Sequence, residues 1–381
     1  MSQLIRVVIV DDSLLMQRVI TSLIQQDPTI KVVGTASNGQ EAIALIEQLR
    51  PDVVTMDVRM PIMDGLETTK HVMAYCPTPI LVLTASLARH DVDITFKMLG
   101  AGALDVVEKP SGKDPQTLAR AGQDLIRRIK LLSRVKVVTH LRGRRKPGES
   151  SAEPVTRERI VSTSSYTHIT SPAKRTTAEP LPNGAARTGF PVIVIGASTG
   201  GPRIVNQIIS ALPEDLPAAL IVVQHIAPGF SSGMAEWLAT NSRLPVRVAD
   251  EGALIKSGEV MIVPDRCDLL LSKDGRVHLS RSSILLQRPS VDVAMQSTVD
   301  VFGRRVIGVL LTGMGRDGAY GMLTVRKAGG HTIAQDEATS AIFGMPRAAI
   351  ELGAAAEVLP ANTIAGRLIA LVAEAPRAIR V

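Results

Sequence analysis

From Leu4 onward, short runs of aliphatic and β-branched residues alternate with longer segments in which apolar and polar positions mix. IRVVIV (5–10), KVVGTA (31–36), DVVTMD (52–57), ILVLTA (80–85) and ALDVVEKP (103–110) have the length and make-up of buried strands. The segments between them read as helices, one running through about Gln26 and one starting near Gly39. Strands apolar on both faces, each followed by a helix, predict a five-stranded doubly wound βα domain.

After Pro191 the same rhythm returns. VIVIGAS (192–198) leads into a helix to Ala211, and ALIVVQHI (219–226) into one near Met234–Ala239. EVMIVP (259–264) leads into a hairpin, RVIGVLLTG (305–313) precedes a helix through Lys327, and HTIAQDE (331–337) precedes a last helix from Thr363. This predicts a second open α/β sheet, with an antiparallel edge formed around LLLSKDGRVHLS (269–280). Between the two, from about Ser133, Pro, Ser, Thr, Gly and charge dominate with no sustained apolar period, which predicts a flexible linker. The expected organisation is a first domain over 4–130, a linker over 131–189 and a second domain over 190–376.

Composition agrees with two α/β units. The 381 residues are 45% hydrophobic but only 2% aromatic, so Val, Ile, Leu, Ala and Met must fill the cores. The net charge of +7 invites a nucleic-acid reading until its location is considered. Eleven Lys/Arg against four Asp/Glu between Ser133 and Gly189 carry the whole excess. A basic tether is not a basic folded face, and the second domain lacks a basic helix-turn-helix pattern; no nucleic-acid partner is expected. Cys76 and Cys267 lie far apart, which argues for a reducing compartment. With no signal-peptide pattern and no apolar run near the ~20 residues that cross a bilayer, the expectation is a cytoplasmic protein that is not membrane-inserted.

The chemistry gathers where strands end. In the first domain Asp11 and Asp12 follow the first strand, Asp57 ends the third, Thr84 ends the fourth and Lys109 follows the fifth. Strand-end carboxylates often cap helices, but a set at one sheet edge repel each other unless a cation lies among them, and oxygen ligands suit Mg²⁺. Asp57 is then a nucleophile for a phosphoryl group, with Mg²⁺ and Lys109 neutralising the phosphate oxygens.

In the second domain Ser198, His225 and Asp317 follow three different strands. Singly, each has a plainer reading: a helix cap, a satisfied strand-end histidine, a turn residue. Together they form a nucleophile, a base and an orienting carboxylate. Two other patterns compete. Gly196-Ala-Ser198-Thr-Gly200 matches the nucleophile elbow of α/β-hydrolases, but there the acid precedes the histidine, so that fold is set aside. Gly313-Met-Gly315-Arg-Asp-Gly318, with Asp336 beyond it, matches a dinucleotide fingerprint. It places Asp317 where a pyrophosphate would sit, comes late in its domain and leaves Ser198 and His225 idle.

VDDS (10–13), MDVRMPIMDGLE (56–67), TAS (84–86) and EKP (108–110) resemble a response-regulator receiver domain. The resemblance implies a phosphoaspartate at Asp57, Mg²⁺ on Asp12, Asp57 and the Arg59 carbonyl with Asp11 assisting, and phosphoryl contacts from Thr84 and Lys109. Val106 stands where many receivers carry an aromatic switch residue. IGASTGGP (195–202), VVQHIAPGF (222–230), LLTGMGRDGA (310–319) and AQDEATSAIFGMP (334–346) resemble the catalytic domain of chemotaxis protein-glutamate methylesterases of the CheB type. That implies a Ser198–His225–Asp317 triad with a backbone N–H near Met314 in the oxyanion hole, and no cofactor for this half. It further implies methyl-accepting chemoreceptors as substrate, a chemotaxis histidine kinase as phosphodonor, and glutamine deamidation as a second activity. The competing class is a receiver fused to a docking module without catalysis.

Overall fold

The computed structural model describes residues 4–85, 89–111, 114–135, 137, 189–281 and 288–375. Most of the expected linker, together with Ser86 of the TAS motif, lies outside the described residues.

The first domain is built from β1 (Ile5–Val10), α1 (Leu14–Ile24), β2 (Ile30–Ala36), α2 (Gly39–Leu49), β3 (Val53–Asp57), α3 (Gly65–Tyr75), β4 (Ile80–Thr84), α4 (Arg89–Ala101), β5 (Asp105–Glu108) and α5 (Pro115–Leu132). The five strands are parallel in the order β2-β1-β3-β4-β5. Side chains that bond to backbone N–H groups fix where helices begin: Ser13 for α1, Asn38 for α2, Asp64 for α3 and Asp114 for α5. The order reverses at β1/β3, so Asp11, Asp12 and Asp57 leave the carboxyl edge side by side.

The second domain comprises β6 (Val192–Ala197), α6 (Gly201–Ser210), β7 (Ala219–Gln224), α7 (Ser231–Ala239), β8 (Val246–Val248), β9 (Val260–Ile262), β10 (Asp268–Leu271), β11 (Val277–Ser280), α8 (Val291–Phe302), β12 (Val306–Leu310), α9 (Ala319–Lys327), β13 (His331–Gln335), α10 (Met345–Glu351), β14 (Glu357–Leu359) and α11 (Ala361–Glu374). Seven strands form one parallel sheet ordered β14-β13-β12-β6-β7-β9-β8. The antiparallel pair around LLLSKDGRVHLS is present as a separate two-stranded sheet, β10-β11. The order turns at β6, which is flanked by β12 and β7, and the switch point places all three candidate residues at one edge.

The pattern reading does not contain β8, β14, α8 or α10. Three-residue strands and a seven-residue helix carry too little periodicity to register. Helix α8 is longer: Val291, Ala294, Met295, Thr298, Val301 and Phe302 are buried at helical spacing, and the Ser290 hydroxyl, accepting from Val293 N–H, caps its start.

The two domains share one apolar core. Phe96 of α4 stacks on Trp237 of α7 at 5.5 Å and meets Phe230 edge-on at 6.2 Å. Val92 occupies the space above Gly233, where a Cβ would lie 2.0 Å from Val92 Cγ1. The α4 face of the first domain is thus committed to the second.

Candidate functional site

At the first domain's edge, carboxylate oxygens of Asp11, Asp12 and Asp57 all lie within 4.8 Å of one another. Lys109 Nζ is 2.7 Å from both Asp11 Oδ2 and Asp57 Oδ2. Asp57 Oδ1 accepts from Val58 N–H at 2.7 Å. Asp11, Asp57, Thr84 and Lys109 are buried, whereas Asp12 is exposed and opens the cluster to solvent. Burial pushes the Asp57 carboxyl above the ordinary range, opposed by Lys109. Burial would lower the Lys109 ammonium, but its bonds to Asp11 and Asp57 outweigh that and hold it above the ordinary lysine value. The Thr84 carbonyl accepts from Lys109 N–H at 2.7 Å, anchoring the lysine's backbone to the next strand. The Arg59 side chain turns away to pair with Asp91 of α4. Val106 is buried in β5.

In the second domain, Ser198 follows β6, and its backbone N–H donates to Thr312 O at 3.0 Å. Gly200, not Ser198, holds the cap position of α6. Ser198 and His225 border one cleft of about 150 Å³, together with Thr199, Ile226, Met314 and Gly315. Among the described residues the Ser198 hydroxyl has no hydrogen-bond partner. His225 Nε2 meets Asp317 Oδ2 at 2.8 Å, which leaves Nδ1 as the nitrogen free to take a proton. That is the reverse of the nitrogen assignment in chymotrypsin-type triads. Burial would raise the Asp317 carboxyl, but bonds from His225 and from Val291 and Asp292 N–H hold it below the ordinary value. The loop with the dinucleotide-type spacing therefore has its carboxylate committed to an imidazole and a helix terminus. Met314 flanks the cleft, and no acceptor is found for its N–H among the described residues.

Three further residues shape this site without having been singled out from the sequence. The buried Gln224 amide donates both to Ser198 O at 2.8 Å and to His225 O at 2.9 Å, tying the two loops together. A lone polar residue ending an apolar run beside His225 is a readable signal. Ser290 and Asp292, at the start of α8, hold Asp317. Pro-Ser-Val-Asp before an apolar segment resembles a helix start, though nothing local ties it to Asp317.

The cleft is not walled by one domain alone. Arg127, Arg128 and Leu131 of α5 line it opposite Ser198. Leu104 O accepts from Gly200 N–H at 2.9 Å, and Asp105 Oδ2 accepts from Thr199 Oγ at 2.8 Å.

A family model described as CheB methylesterase matches residues 193–368, and one described as response regulator receiver domain matches residues 7–121. The chain is 40% identical to a Symbiobacterium thermophilum protein named protein-glutamate methylesterase/protein-glutamine glutaminase, over 97% of this chain and 98% of that one. It is 43% identical to an Anaeromyxobacter dehalogenans protein of the same name, numbered 2, over 94% of this chain and 95% of that one. Among solved structures, the Thermotoga maritima CheB methylesterase catalytic domain is similar at 42% identity and a TM-score of 0.47, covering 48% of this chain and 99% of that one.

Proposed function

The chain belongs to the CheB methylesterase family, with a receiver domain ahead of the catalytic one, and on that premise we propose that it hydrolyses glutamate γ-methyl esters on chemoreceptors under control of phosphorylation at Asp57. The observation that carries the reading is the cleft itself: Ser198 and His225 share it, and the receiver's α5 forms its other wall.

In this mechanism Ser198 Oγ attacks the ester carbonyl while His225 Nδ1 takes its proton. The tetrahedral oxyanion faces the Met314 N–H. Collapse breaks the bond to methoxide, which leaves as methanol with the proton from His225. Water, deprotonated by His225, then attacks the acyl-enzyme and restores Ser198 and a free glutamate. Asp317 stays ionised throughout and holds the imidazole through Nε2. A glutamine side chain follows the same course with ammonia as the leaving group, which gives the deamidase activity.

The receiver supplies control. Its three clustered carboxylates offer only oxygen donors within 4.8 Å of one another, a set that fits a hard divalent cation. We assign Mg²⁺ to Asp11, Asp12, Asp57 and the Arg59 carbonyl; when bound, it neutralises charge on the transferring phosphoryl group. Asp57 accepts that group from a histidine kinase, and Thr84 and Lys109 hold its oxygens. Phosphorylation adds about −1.5 to −2 charge, loosens the α4–β5–α5 face and uncovers Ser198. No helix among the described residues is long and apolar enough to cross a membrane. Unpaired Cys76 and Cys267 suit action in the cytoplasm.

Methanol release from methyl-labelled receptors tests the catalytic reading. Wild-type protein is expected to release it, and Ser198→Ala to lose about 10⁴-fold or more while still binding receptor. Release by Ser198→Ala at the wild-type rate would leave a docking module as the better account.

A further inference from the structure

We propose that Asp292 is a positioning residue for the reaction: with Ser290 it holds the Asp317 carboxylate against His225 through a reciprocal cap between helices α8 and α9. The inference rests on the esterase reading of the Ser198 cleft. Asp317 lies in the loop that leads into α9, yet its carboxylate covers the first turn of α8. Its Oδ1 accepts from Ser290 Oγ at 2.9 Å and from Asp292 N–H at 3.1 Å, and its Oδ2 accepts from Val291 N–H at 2.8 Å. The exchange runs both ways: Asp292 Oδ1 accepts from Gly321 N–H, in the first turn of α9, at 2.6 Å. Asp317, just before α9, and Asp292, in α8, thus each satisfy open N–H groups at the start of the other helix.

The backbone is shaped for this contact. Val291, the first residue of α8, fills space that Gly196 and Gly318 leave open. A Cβ on Gly196 would lie 2.3 Å from Val291 Cγ1, and one on Gly318, whose φ is +88°, would lie 2.8 Å from it. Helix α8 therefore reaches the end of β6 beside the serine loop, where the Asp317 carboxylate bonds to Ser290, Val291, Asp292 and His225 at once.

Two neighbouring carboxylates would share charge badly if their surroundings were alike. Burial, with Asp317 nearby, pushes Asp292 up to about 6, whereas Asp317 is held low by His225 and the α8 N–H groups. As pH rises, Asp317, which faces the imidazole, therefore ionises well before Asp292. Asp292 acts through hydrogen bonding and placement, not by touching substrate.

The test uses the full chain, activated with acetyl phosphate and Mg²⁺, with kcat and KM for methanol release and the melting temperature measured together. Asp292→Ala removes the bond to Gly321 and is expected to lower kcat about 10- to 100-fold with KM within about 2-fold. Asp292→Asn keeps an acceptor at that point and is expected to return kcat to within about 3-fold of wild type. Ser290→Ala, which deletes one bond to Asp317 and carries the test where Asp292→Ala fails to fold, is expected to lower kcat about 3- to 10-fold at unchanged KM. Wild-type kcat per folded molecule in the alanine variants, with only the melting temperature lowered, overturns the proposal. So does equal loss in Asp292→Ala and Asp292→Asn. Failure of the esterase reading looks different, because Ser198→Ala would then release methanol as fast as wild type.

Discussion

The Thr199 hydroxyl, one residue past the serine, donates a 2.8 Å hydrogen bond to Asp105 of the receiver. The same Asp105 oxygen takes Arg128 Nη1 at 2.5 Å, so the receiver side of the contact is itself fixed. The receiver therefore grips the loop that carries Ser198 as well as walling its cleft. Thr199→Val keeps the shape and deletes the donor. Losing one bond of about 1 kcal/mol predicts roughly 5-fold more methanol release without a phosphodonor, measured on the full chain. Unchanged basal release would show that the bond does not hold the closed arrangement.

Trp237, the chain's one tryptophan, reports on the seam, because it is buried and stacked on Phe96 of α4. Adding acetyl phosphate and Mg²⁺ should shift its emission to longer wavelength as the receiver withdraws. The shift should be absent in Asp57→Asn. Phe96→Ala should move the emission toward the same position with no phosphodonor and raise basal release. An emission spectrum indifferent to phosphorylation would mean that the α4–α7 contact survives activation.

Around Asp57 the prediction concerns the cation. Three carboxylates with one ammonium leave the cluster net negative, so Mg²⁺ should raise the melting temperature of the unphosphorylated chain, and EDTA should reverse the gain. Asp12→Ala should lose most of that gain while leaving basal esterase activity as it was. Incorporation of phosphate from acetyl phosphate should vanish in Asp57→Asn and on Mg²⁺ removal. Labelling that persists in Asp57→Asn would move the phosphoacceptor elsewhere.

Asp292 makes a pH prediction with a definite sign. Its carboxyl is raised from 3.8 to about 6 in the folded chain, so the folded state holds the proton longer than the unfolded one. The associated stability is present below about pH 4 and is lost as pH rises through about 6. Asp292→Asn lacks that loss. Its melting temperature relative to wild type should therefore rise between pH 4 and pH 7, read by thermal denaturation across that range. A difference that stays constant with pH would contradict the raised value.

Much of this arrangement is legible in the chain because parallel strands announce themselves as unbroken apolar runs, and chemistry sits where they stop. Asp57, Lys109, Ser198 and His225 could each be placed at a sheet edge on that ground alone. What could not be read are contacts between segments that no local pattern links. The role of helix α8 depends on Asp317, 27 residues after Ser290. The seam is likewise silent in sequence: no local pattern links Phe96 to Trp237. Their pairing depends on how two finished domains pack, which periodicity does not encode.

The receiver's α5 lines the cleft that holds Ser198 and His225, and the most direct measurement of its control is the rate of methanol release by the full chain before and after acetyl phosphate with Mg²⁺. A rise of about 10-fold or more in wild type, absent in both Asp57→Asn and Ser198→Ala, is the predicted result. Equal rates with and without the phosphodonor, in protein shown to carry phosphate on Asp57, would contradict it.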